Sequence, residues 1–100
     1  MYKVTVLYAH PADASTFEKY FKEHHLPLAK RMEGLSRIEI TKFHTSADGG
    51  KPQYYRMSEL FFSTKAEMEE TMSSPEGQAI INDMLNLTKS DIQIVLGSVE

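Results

Sequence analysis

The chain has 100 residues, a formal net charge of −3, 41% hydrophobic and 25% charged residues, and neither cysteine nor tryptophan. That is the size of one domain with a small core, and a cysteine-free chain excludes disulfides and thiolate chemistry and fits a reducing, cytoplasmic setting. Lys and Arg form no stripe suited to nucleic acid, and no apolar run nears the ~20 residues that cross a bilayer, so neither nucleic acid nor membrane is expected as a partner.

Residues 2–9 alternate as a strand, with Tyr2, Val4, Val6 and Tyr8 on one face and Lys3, Thr5 and Leu7 on the other. This opening lacks a cleavage pattern, so no signal peptide is expected. His10-Pro11 ends the strand. Ser15 and Glu18 have capping-box spacing, which predicts a helix from Thr16 with Asp13 just outside it. Phe17, Tyr20, Phe21, His24 and Leu28 recur at three- and four-residue steps and predict its apolar face. Glu18, Lys19, Lys22 and Glu23 fall largely on the other. Pro27 has no backbone donor and crowds the carbonyl four residues earlier, so a kink or pause is expected at His24 and His25, with Leu26 outside the helical region. Helix resumes over Leu28 to Met32, and Gly34 stops it.

Residues 35–45 predict a second strand and 53–63 a third, joined by the turn-forming Ser46-Ala47-Asp48-Gly49-Gly50-Lys51-Pro52. That loop has no phosphate-cradle spacing. Thr64 with Glu67 caps a helix from Lys65 to about Met72, where Met68 and Met72 lie one turn apart. Ser74-Pro75 restarts a helix through about Leu85, with Ile80, Ile81, Met84 and Leu85 as its apolar side. Asn86 to Ser90 reads as a loop and Asp91 to Val99 as the last strand.

The order strand, helix, strand, strand, helix, strand predicts a ferredoxin-like α+β fold over a single domain, residues 1–100, with an antiparallel sheet and helices on one face. Apolar residues occur on both faces of the second and third strands, so a second sheet is expected over the open face, and a face-to-face homodimer follows. Arg56 and Glu59, if they lie on the sheet face, would pair across that dimer.

The best site candidate is the histidine pair before Pro27. His25 has the right intrinsic proton affinity for a general acid or base; the plainer role is to cap helix carbonyls. His24 reads as a packed, hydrogen-bonded ring. Adjacent helical residues point ~100° apart, so the pair does not make a metal site. Tyr8, Tyr54 and Tyr55 are candidates to line a pocket and orient a carbonyl or phenol, Tyr8 foremost because it ends its strand near the first helix. Phe21 is core or pocket wall. Asp83 is either an exposed helix charge or the carboxylate that orients a histidine.

Several segments read together resemble the EthD family, within the dimeric α+β barrel superfamily. They are Leu-Tyr-Ala-His-Pro-Ala-Asp at 7–13, Phe-Glu-Lys-Tyr-Phe with His-Leu-Pro-Leu-Ala within 17–29, Gly34-Leu35, Tyr-Tyr-Arg-Met-Ser-Glu-Leu-Phe-Phe at 54–62, Ser-Pro-Glu-Gly-Gln at 74–78 and the region around Asp83. Order and spacing carry the likeness, and Glu33 stands where the family usually has proline. The resemblance implies a barrel-forming homodimer with a pocket between each sheet and its own helices, and it maps the family's His-x-Pro-Leu-Ala histidine to His25. The family is associated with ethyl tert-butyl ether degradation alongside a cytochrome P450 system. Relatives of the same fold include cofactor-free monooxygenases, lactone isomerases and polyketide cyclases, and fold does not choose among them.

Three readings follow. One is a cofactor-free monooxygenase or isomerase acting on a small hydrophobic carbonyl or phenolic compound. His25, Tyr8 and Asp83 would carry its chemistry, with His24, Phe21 and Tyr54 against the substrate. The second is a non-catalytic auxiliary or carrier of an oxidative degradation system with a redox partner. The third is a structural dimer module, whose pocket would be too well filled for a ligand.

Overall fold

A computed structural model describes residues 1–88 and 91–100. The strands are β1 (Tyr2–Tyr8), β2 (Arg37–Lys42), β3 (Arg56–Phe62) and β4 (Ile92–Ser98). They form one antiparallel sheet in the order β2-β3-β1-β4. The helices are α1 (Ala14–Tyr20), α2 (Leu26–Lys30), α3 (Lys65–Ser73) and α4 (Pro75–Leu87), with a π turn at Phe21–His25 joining the first two. This is the ferredoxin-like α+β arrangement that the element order predicts.

The first helix starts earlier than the capping-box spacing suggests. Asp13 is the cap, accepting from Thr16 N at 3.1 Å and Thr16 Oγ1 at 2.9 Å, so Ser15 lies inside the helix. A carboxylate satisfies the orphan N–H as well as serine does, and here it takes a second donor. The expected break at Pro27 is also corrected. Leu26 stays helical (φ −63°, ψ −45°), and its N–H donates to Phe21 O, five residues back. The chain widens by a π turn before the proline, which sits in the first turn of α2 where a missing N–H costs least.

The π turn changes which side chains face inward. Phe17, Phe21, His25 and Ala29 are buried. Steps of four residues overrun an α-turn by ~40° each, so an unbroken helix would rotate this row off the sheet. The wider turn takes up the excess and brings His25 back under Phe21. The expected face through His24 and Leu28 is therefore wrong by one residue: both are exposed.

Val4, Val6, Tyr8, Leu60 and Phe62 from the sheet meet Phe17, Phe21, Met32, Met68, Ile80, Met84 and Leu87 in the core. Capping at Thr64 and Ser74 is as expected, with Glu67 N at 3.1 Å and Gly77 N at 3.0 Å donating to the hydroxyls. α4 runs to Leu87, past the predicted end at Leu85, and turns Leu85 outward at 74% exposure. The expected loop at 86–90 is thus helical at Asn86 and Leu87, and residues 89–90 fall outside the described residues. β2 and β3 are shorter than predicted, ending at Lys42 and starting at Arg56, although Phe43 N still donates to Tyr55 O at 3.1 Å in continuation of their register. Tyr55 N donates to Tyr8 O at 2.7 Å. Gly49 takes φ +86° in the connecting turn.

The strand charges find partners within the chain, contrary to the expectation of pairing across a dimer. Arg56 is buried on the helix side, donating to Glu18 Oε1 at 2.6 Å and Oε2 at 2.9 Å. On the open face, Lys3 reaches Glu59 at 2.7 Å and the Arg37 guanidinium lies 3.9 Å from the Phe61 ring centroid. Among the described residues, no helix is long and apolar enough to cross a membrane.

Candidate acid–base site

His25 reaches the interior from the end of the π turn and is only 3% exposed. Its Nδ1 lies 3.0 Å from Asp83 Oδ2, which α4 supplies. The carboxylate can only accept, so Nδ1 carries the hydrogen and Nε2 keeps its lone pair in the neutral ring. Nε2 has no hydrogen-bond partner among the described residues, and no fully buried polar side-chain atom there is left unpaired, so Nε2 retains accessible surface. The Tyr20 hydroxyl donates to Asp83 Oδ1 at 2.5 Å and Asn86 Nδ2 adds a longer contact at 3.4 Å.

Burial lowers the proton affinity of His25, and the Asp83 bond only partly offsets this. Charging a ring in low dielectric is costly, so the ring is neutral and basic at pH 7. Burial alone would raise the Asp83 carboxyl, but the donors Tyr20, His25 and Asn86 outweigh it and hold the group below the usual carboxylate value.

The His25 ring borders a small cavity between sheet and helices, together with Tyr8, Ser58, Val6, Phe21, Leu26, Ala29, Ile38, Leu60, Ile80 and Met84. Its volume is ≈10 Å³, room for roughly one water. The polar lining is His25, Tyr8 and Ser58; the rest is apolar. Tyr8 is fully buried, and its hydroxyl accepts a long 3.5 Å bond from Ser58 Oγ. Burial pushes the Tyr8 phenol up to about 12, against the weaker influences of Ser58 and Arg56. Tyr8 is therefore a neutral donor at any ordinary pH.

The structure brings His25, Tyr8, Asp83 and Phe21 together. Two other sequence candidates stand apart. His24 is exposed, with its ring tilted against Tyr20 at a centroid distance of 5.0 Å, which corrects the expectation of a packed, hydrogen-bonded ring. Tyr54 precedes β3 and its hydroxyl donates to Gln93 Oε1 at 2.8 Å, away from the cavity. Ser58 was not singled out by sequence. Its signal is a serine on the helix-facing side of β3, in line with Val6 and Ile40, where a hydroxyl is buried among aliphatic neighbours. Among the described residues no group of three or more His, Asp or Glu side chains is placed to hold a metal.

A family model, the EthD domain, matches residues 9–91. An uncharacterized 11.0 kDa protein in the thcB-thcC intergenic region of Rhodococcus erythropolis is 34% identical over 95 residues, covering 95% of this chain and 91% of that one. The crystal structure of an ethyl tert-butyl ether d (EthD) family protein from Bacillus halodurans superimposes with a TM-score of 0.93 at 24% identity, over 100% of this chain and 99% of the other. SnoaB from Streptomyces nogalater, described as a cofactor-independent oxygenase, shares the fold at a TM-score of 0.63 and 15% identity, over 98% and 90% of the two chains. Other solved neighbours are described as dimeric ferredoxin-like proteins.

Proposed function

Because this chain belongs to the EthD family, we propose that it is a small-molecule-binding protein in which the His25–Asp83 pair acts as a general base on a small, neutral, partly hydrophobic carbonyl or phenolic compound. The observation that carries this reading is the 3.0 Å bond from His25 Nδ1 to Asp83, which leaves a basic Nε2 on a buried ring beside an apolar cavity. The proton moves from the substrate C–H or O–H to Nε2. The electron pair left behind is delocalised onto the substrate oxygen, where the Tyr8 hydroxyl, itself accepting from Ser58, offers a neutral donor. Return of the proton to another carbon gives isomerisation; reaction of the carbanion with dioxygen gives oxygenation. Phe21 forms the wall, while His24 and Tyr54 stand outside this site.

The closed cavity requires its lining to yield before a ligand enters. Met84, unbranched and adaptable, and Leu26, after the π turn, are the side chains to move. The near-filled cavity also favours a second reading, a non-catalytic auxiliary of an oxidative degradation system. We also infer that the chain acts in the cytoplasm as a homodimer through its open sheet face. There Leu7, Met57, Phe61 and Val95 are interspersed with charges already paired within the chain, so a second copy covers no unpaired charge.

The test is solvent deuterium uptake at the acidic carbon of a panel of small aromatic ketones and lactones, followed by NMR with wild type and His25→Gln. Uptake that the variant abolishes supports the base. No uptake from any compound, with His25 resonances indifferent to all of them, leaves the auxiliary reading.

A further inference from the structure

We propose that Tyr20 is a positioning residue: it locks the Asp83 carboxylate in the rotamer that faces His25 and thereby fixes which ring nitrogen carries the proton. This rests on the reading of His25 as the base, and adds what holds that base in its working form.

A carboxylate at the edge of a helix rotates freely unless both oxygens are engaged. Here Oδ1 is taken by the Tyr20 hydroxyl at 2.5 Å, which leaves Oδ2 pointing at His25 Nδ1, 3.0 Å away. Asn86, the other donor to Oδ1, is 3.4 Å away and on the same helix as Asp83, so it is too weak and too local to set the carboxylate against a different helix. Tyr20 ends α1, immediately before the π turn that carries His25, and Asp83 belongs to α4, so their bond ties the segment that supplies the base to the helix that supplies its partner.

Tyr20 itself is held from outside. Its ring lies tilted against His24 with centroids 5.0 Å apart, which gives the exposed histidine a structural task. The carboxylate lies in an open groove that Glu23 and Arg31 also border. Water and Arg31 therefore compete for Asp83 whenever Tyr20 lets it go. Once Asp83 turns outward, nothing holds the ring hydrogen on Nδ1, and the tautomer with Nε2–H becomes accessible. That tautomer presents a donor, not a base, to the cavity.

Ring-nitrogen NMR of ¹⁵N-histidine-labelled protein, above the pKa of His25, tests this directly. In wild type, Nδ1 is expected to give a protonated-type signal with a slowly exchanging hydrogen, and Nε2 an unprotonated one. Tyr20→Phe keeps the ring on His24 and removes only the hydroxyl. It is expected to shift the population toward Nε2–H and to speed exchange of the Nδ1 hydrogen, with little change in melting temperature. Asp83→Asn supplies the fully decoupled reference. A merely structural tyrosine would lower the melting temperature and leave the tautomer alone. An unchanged Nδ1–H signal in a folded Tyr20→Phe overturns the positioning role while the base reading stands. A wild-type ring already protonated on Nε2 overturns both.

Discussion

Substituting Gly77 by alanine should destabilise the protein, against the usual preference of helices for alanine. Gly77 is buried near the start of α4, and a Cβ there would lie 2.1 Å from the Thr71 carbonyl oxygen and 3.1 Å from that of Met72. These obstacles are backbone at the end of α3, and Thr71 O also accepts from the Ser74 hydroxyl at 2.6 Å. No side chain can swing aside, so α4 must retreat by about 1 Å, an overpacking that costs roughly 1–3 kcal/mol. The helical preference for alanine returns at most about 1 kcal/mol. With that full return the net loss is still up to about 2 kcal/mol, a fall in melting temperature of up to roughly 15 °C for a domain this small. Asp83 lies on the same helix, so the retreat should also lengthen its bond to His25, which opposes the effect of burial, and so push the ring further below its free value. Thermal melts followed by circular dichroism give the first quantity, and an NMR titration of His25 the second. A Gly77→Ala protein that melts at or above the wild-type temperature would refute the close approach of α3 and α4.

Two further outcomes follow from the charges and the open face. The buried His25 ring binds its proton less readily than the unfolded one, so the unfolded chain holds more protons just below the free value near ~6.5, and stability falls as pH drops through that region. The loss levels off below the depressed folded value, and Asp83 adds its own loss only at much lower pH, below the free carboxyl value. His25→Gln should therefore flatten the dependence of melting temperature on pH just below the free imidazole value; an unaltered slope would mean that the ring is not what titrates. Leu7→Glu places a charge beside Met57 on the open sheet face, and light scattering should report a monomer for the variant against the proposed dimer for wild type. Retention of the dimer by this variant would move the interface elsewhere.

Much of the frame could be read from local pattern. The alternation Val4, Val6, Tyr8 marks the buried side of β1, and Thr64 and Ser74 announce the starts of α3 and α4, because both signals are set within a few residues. The site was harder. Helical periodicity placed His24 inside and His25 at the rim, since it assumes a constant turn; the π turn, which no spacing announces, exchanges them. The pair before Pro27 marked the region, and the family likeness strengthened the choice of His25. Asp83 and His25 are 58 residues apart, so their pairing belongs to the packing of α4 on the first helix and not to any local motif. Glu18 fell on the helix face opposite the apolar one for the same reason, although from α1 it reaches Arg56 on β3. Leu85 read as core because the apolar stripe of α4 is wider in sequence than the surface it meets.

The position of Tyr8 gives the protein an optical label. With no tryptophan in the chain, its near-ultraviolet absorbance comes chiefly from five tyrosines. Tyr8 resists ionisation until about pH 12, and Tyr20 is also held back, first by its bond to Asp83. The tyrosinate band should therefore rise in steps during an alkaline titration, with the cavity-lining phenol contributing last. A ligand that keeps the cavity closed would delay that final step, and one that props it open would bring it forward. Occupancy of a space with room for little more than a single water can then be followed in a spectrophotometer, without a label and without knowing the reaction.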